Sequence, residues 1–178
     1  MDGTVSGVIM ERYQIGQKVL YGSHGVCEMV GREERIVDKK SVIYYVLEPL
    51  GQGSARFLIP AHNVVAMGKL RPILSTEELN ALLQMDAIRS DAWIREENLR
   101  KQTYRELLSS GDRMRLLQMI HTLYRHKAEQ LAAGKKVHLC DENFLRDAEK
   151  LLASEISFVL DLSAEEAKQY LRDHLLAE

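Results

Sequence analysis

The sequence predicts an α+β chain in two parts, a small antiparallel β-barrel over residues 1–72 followed by an all-α region over 73–178. Three observations predict it. The first 70 residues carry short β-branched and aromatic runs between tight turns, with no helical spacing among them. After Leu70-Arg71-Pro72 the apolar residues recur every three or four positions and strand patterns vanish. A length of 178 residues suits two small domains meeting at that change.

In chain order, Gln17 to Tyr21 reads as a first strand and Gly22-Ser23-His24-Gly25 as a turn. Val26 to Val37 and Ser41 to Leu50 read as two longer strands joined by a hairpin at Asp38-Lys39-Lys40. Gly51-Gln52-Gly53 turns the chain into Arg56 to Ile59, stopped by Pro60, and Val64 to Met67 reads as a last short strand. Five short strands without an intervening helix predict closure into a barrel. Beyond Pro72, Ser75-Thr76-Glu77-Glu78 has the form of a capping box before Leu79, Leu82 and Leu83. A second helix is expected from Asp91 to Leu108, ended by Ser109-Ser110-Gly111. A third opens at Asp112, buries Leu116, Leu117, Ile120, Leu123 and Tyr124, and closes at Gly134. Asp141 is expected to cap a fourth, and Ser163-Ala164-Glu165-Glu166 to start a fifth.

With 46% hydrophobic and 28% charged residues the chain has material for a core and a polar surface. No run of about 18 apolar residues is present, so no membrane span is expected. The first 16 residues lack the basic start and long apolar stretch of a secretory leader, and the first ten read as a loose tail. Cys27 and Cys140 stand far apart, as two reduced thiols of a cytoplasmic protein would. The net charge of −2 is uneven: −1 over residues 1–88, +4 over 89–127 and −5 over 128–178. A protein that binds DNA alone usually carries a larger basic excess, so any DNA contact should be local and assisted.

Enzymatic chemistry finds no support. The histidines at 24, 62, 121, 126, 138 and 174 show no metal spacing, and His121 and His126 are five apart, off a common helix face. No nucleophile elbow, phosphate loop or dinucleotide fingerprint occurs, and neither a metal nor a cofactor is expected. Gly51-Gln52-Gly53 precedes no helix that could hold a phosphate.

Two features invite a binding role. Trp93, the one tryptophan, sits among Arg89, Ser90, Asp91, Arg95, Glu96 and Glu97, a setting that suits the start of an exposed helix. It is either an anchor between helices or an aromatic wedge against DNA, with Arg89, Arg95, Arg100, Lys101 and Arg105 around the same helix to meet phosphates. Arg32, Arg35, Lys39 and Lys40 decorate the second strand and its hairpin, as charges that guard an edge against aggregation or as the surface to which a partner strand adds.

The series Ile15-Gly16, Val19-Leu20-Tyr21, His24-Gly25-Val26 and Leu58-Ile59-Pro60 resembles the RNA polymerase interaction domain of the CarD/CdnL family, which the transcription-repair coupling factor shares. Trp93, Arg100, Leu108-Ser109-Ser110-Gly111-Asp112, Gly134-Lys135-Lys136, Asp141, Ala148-Glu149 and Glu155 resemble the C-terminal domain of clostridial and bacillar CdnL proteins. The resemblance runs over about 13–175. It implies a Tudor-like N-terminal barrel that binds the polymerase β subunit along an edge strand with a basic residue, where Arg35, Ile36 and Val37 fall. A second basic residue precedes the strand-ending proline in some members; here Leu58 stands there and Arg56 lies two earlier. The resemblance places the helical part near the upstream edge of the melted promoter and matches the family's tryptophan wedge to Trp93. Glu96 and Glu97 stand where actinobacterial members are more basic, and the stretch from Trp93 to Gly111-Asp112 is about one helical turn longer, so weaker phosphate contact is implied.

These readings converge on a bacterial, cytoplasmic transcription regulator that binds polymerase and stabilises the open promoter complex through sequence-independent DNA contact; its oligomeric state is left open, with a monomer favoured. The alternative is a protein-interaction adaptor with no DNA role, in which Trp93 is the hot spot.

Overall fold

The computed structural model describes residues 13–51 and 55–176. The expected loose tail, and Gln52 and Gly53 of the expected turn, lie outside the described residues. The N-terminal part is built from β1 (Lys18–Tyr21), a 3-10 turn (Gly22–His24), β2 (Val26–Val37), β3 (Lys40–Pro49), β4 (Phe57–Pro60), α1 (Val64–Gly68) and β5 (Leu70–Pro72). Every pairing is antiparallel, in the order β4-β3-β2-β1-β5.

The sheet is open. Among the described residues no ladder joins β4 to β5, so strand pairing does not close the expected barrel. Helix α1 stands between these edges and packs on both. The stretch Val64 to Met67, expected as a strand, belongs to this helix because the Asn63 carboxamide oxygen accepts from the Ala66 amide at 3.0 Å and caps it. The fifth strand is Leu70–Pro72 itself, on β1. Period-two alternation sends Cys27 and Met29 of β2, with Tyr45 and Leu47 of β3, into one buried cluster beneath Tyr13. Tyr13 meets Tyr45 edge-on and donates its hydroxyl to the Leu70 carbonyl at 3.2 Å.

Strand lengths are unequal, and this shapes the surface. Within β2 only Val26–Glu28 pairs with β1, and within β3 only Tyr44–Leu47 pairs with β4, so the far ends of β2 and β3 project as a two-stranded ribbon. Asp38 and Lys39, at φ 50 and 63, close its tip in a tight turn.

The second part holds α2 (Thr76–Leu83), a 3-10 turn (Asp86–Ser90), α3 (Glu97–Ser110), α4 (Arg113–Ala132), α5 (Leu139–Leu160) and α6 (Ala164–Leu176). The Ser75 box forms with both arms, and Ser163 and Glu166 exchange bonds in the same way. Two expected starts are displaced. The helix expected from Asp91 begins at Glu97, whose preceding residue Glu96 accepts from the Asn98 and Leu99 amides; Asp91 to Glu96 carries no helix. The helix expected to be capped by Asp141 begins at Leu139, and Asp141 is instead a buried ion-pair partner.

The two parts meet along a seam made by turns. A Cβ on Gly111 would lie 3.1 Å from the Gly22 carbonyl oxygen, where backbone meets backbone, and one on Gly25 2.8 Å from Ser154 Oγ, where backbone meets a side chain. Ser154 Oγ accepts from the Val26 amide at 3.4 Å, and the Ser110 carbonyl accepts from Arg71 at 3.4 Å. The crossing segment is pinned as well. Arg113 holds the Glu155 carboxylate through Nε and Nη2, both at 2.7 Å, and also donates to the Pro72 carbonyl, while Glu155 accepts from the Leu74 amide at 3.1 Å.

Candidate functional site

Two surfaces gather the residues singled out above. The first is the ribbon. Arg35, Ile36 and Val37 lie at its outer end, opposite Val42, Ser41 and Lys40. Ile36 is 82% exposed, and Val37 and Ile43 are exposed beside it. An isoleucine this bare on a strand whose second side faces no neighbour is a poor surface choice unless something covers it. Arg35 pairs with Glu33 at 2.6 Å, and its guanidinium stands 6.0 Å from the centre of the Tyr44 ring. Arg56 does not join this patch. It pairs with Glu48 at 2.7 Å, six residues along β3 from the Val42 that faces Arg35, roughly 20 Å away by strand rise, on the β4 side.

The second surface surrounds Trp93. The indole lies on the helical core from the segment before α3, and stacks on the His126 imidazole with centroids 3.5 Å apart and planes 11° from parallel. The Arg100 guanidinium carbon stands over the indole at 4.4 Å. Arg100 is 3% exposed: Asp141 takes Nε at 2.9 Å and Nη2 at 3.2 Å, and the Ile94 carbonyl takes Nη1 at 2.9 Å. Its expected place among the phosphate contacts is therefore corrected: three of its five N–H groups are taken inside the protein, and at 3% exposure the others are shut off from a phosphate. Burial pushes the His126 pKa below the usual imidazole value, against the pull of Asp141 and Glu129, so at pH 7 a neutral ring lies on the indole.

The other basic candidates are dispersed. Lys101 is tied to Glu97 one turn away, and Arg105 is exposed one turn further along α3. Arg95 is exposed two residues from Trp93, whereas Arg89 lies in the 3-10 turn and bears on His121 of α4. Sequence reasoning missed His126, because its five-residue spacing from His121 was weighed only for metal. The exposed Lys135, Lys136 and His138 flank Val137, which lines a crevice with His126 and Asp141. Among the described residues no group of His, Cys, Asp or Glu is arranged for a metal, and no helix is long and apolar enough to cross a membrane.

Comparison with known proteins covers both parts. The family model of the CarD-like/TRCF RID domain matches residues 13–74, and that of the CarD C-terminal domain matches residues 79–172. Comparison with curated proteins gives no match. With both domain models matched in order, and the second alone covering more than half the chain, the protein belongs to the CarD-like family of RNA polymerase-interacting transcription factors.

Proposed function

We propose that the chain divides functionally at 72/73, that its N-terminal part binds the polymerase β subunit, and that its helical part meets promoter DNA at the upstream edge of the bubble. The observation that carries the polymerase contact is Ile36, 82% exposed on an unpaired strand edge. Such an edge accepts a partner strand through main-chain bonds, with Ile36 and Val37 filling its pockets and Arg35 setting register. Tethering then raises the local concentration of the helical part at the promoter, so a weak and sequence-independent contact through Trp93 suffices. An obstruction at the fork worth about 1.4 kcal/mol shifts the balance of open and closed complexes tenfold.

Ile36→Asp and Arg35→Glu test the contact. Each should weaken binding to the isolated β-subunit lobe, Ile36→Asp by at least tenfold, while stability changes by under about 0.5 kcal/mol, since both residues are exposed. Unaltered binding with both variants would show that polymerase is held elsewhere.

The burial of Arg100 and the pairing of Lys101 favour a second reading, in which the helical part docks on protein alone. Filter binding to a forked promoter, with and without polymerase, separates the two.

A further inference from the structure

The ring of Trp93 is enclosed rather than merely supported. An imidazole seated 3.5 Å from the indole centroid leaves no room on that face for a guanidinium carbon 4.4 Å from the same centroid. His126 and Arg100 therefore cover opposite faces. Arg100 cannot swing aside, because Asp141 takes two of its nitrogens and the Ile94 carbonyl a third. Ile94 follows Trp93 directly, so one guanidinium fixes both the ring and the backbone that carries it. His126 sits within the 20-residue helix α4, an equally firm base.

We infer that Arg100 and His126 are positioning residues for Trp93: they clamp the indole so that it meets DNA by an edge, as a wedge at the end of a base-paired stretch, and not by a face, as a platform for an unpaired base. The inference rests on the reading of Trp93 as the DNA contact. An indole with a free face stacks on any unpaired base. One with both faces taken offers only its rim, the geometry of side chains that pry a base step apart. A ring already ordered also escapes the entropy cost of being fixed on binding.

Trp93 is the one tryptophan in the chain, so its fluorescence reports the clamp without a label. The experiment uses the full chain with His126→Ala, His126→Phe and Trp93→Ala. His126→Ala should raise quenching of Trp93 by acrylamide and shorten the open-complex lifetime, measured with polymerase and a competitor, by about threefold to tenfold, the cost of ordering one freed side chain. His126→Phe should restore both, because a phenyl ring can lie on the indole. An unchanged urea unfolding midpoint would show that the helical part of each variant is folded. If His126→Ala raises quenching but leaves the lifetime intact while Trp93→Ala shortens it, the wedge stands and the clamp is overturned. Quenching that does not rise overturns the clamp directly. A Trp93→Ala variant with an unchanged lifetime removes the DNA reading, and the clamp falls with it.

Discussion

Arg100→Ala is expected to destabilise the helical part by about 3–5 kcal/mol, the cost of leaving a buried charge without its partner. Asp141 is 1% exposed at its side chain and Arg100 4%, so neither water nor another cation can take the place of the lost guanidinium. The variant also strips the Ile94 carbonyl of its donor and one face of Trp93 of its cover. If the chain unfolds as one unit, the loss corresponds to a fall of about 6–20 °C in Tm. Arg105→Ala, at an exposed position on the same helix, should move stability by less than about 0.5 kcal/mol. A double variant, Arg100→Met with Asp141→Leu, should recover much of the loss, because replacing both members of a buried pair by apolar groups is often close to neutral. Urea unfolding of the four proteins measures this. Were Arg100 a phosphate contact, the pattern would invert: Arg100→Ala would leave the urea midpoint in place and lower the salt dependence of DNA binding.

The contrast between Arg100 and Arg105 shows where the sequence was legible. Local signals were readable. The β-branched and aromatic runs Gln17 to Tyr21, Val26 to Val37 and Ser41 to Leu50 marked three strands, and Ser75, Asp112 and Ser163 marked three helix starts. What failed depended on contacts between distant residues. Asp141 looks like a helix cap because its partner stands 41 residues earlier. Asp91 looks like a helix start because nothing nearby shows that Arg100 will hold the Ile94 carbonyl outside the helix. A count of basic residues treats every guanidinium as outward-facing, although Arg100 precedes Tyr104 by four and shares its buried face. That spacing was the available signal, and the positive charge of the segment masked it. Val64-Val65 reads as strand by β-branching, while the Asn63 cap that overrides it is one residue away. The candidate site was legible as a set of residues and not as an arrangement: Trp93 was found, and His126, 33 positions on, was not.

Gly111→Ala is expected to cost about 2–5 kcal/mol, and Gly134→Ala only about 1–2 kcal/mol, although both glycines follow a helix in the same left-handed conformation, at φ 63 and 69. The shared part of the cost is that conformation, which an L side chain adopts reluctantly. The difference is space. Around Gly134 a Cβ would meet nothing within 4 Å. At Gly111 it would meet the Gly22 carbonyl oxygen at 3.1 Å and its Cα at 3.4 Å, and backbone atoms cannot rotate out of the way as a side chain would. Relief requires moving the 3-10 turn of the sheet part away from the α3–α4 corner. That strains the neighbouring bonds from Arg71 to the Ser110 carbonyl and from the Val26 amide to Ser154. Gly111→Asn separates the causes, because asparagine tolerates the left-handed region yet still carries a Cβ. It should remain destabilising at 111 and become nearly neutral at 134. If the seam is what couples the two parts, Gly111→Ala should also split the thermal transition into two, each part melting on its own, while Gly134→Ala keeps a single transition. Equal losses at both positions would mean that the seam tolerates a methyl group and that the motif glycine at 111 is there for its backbone conformation alone.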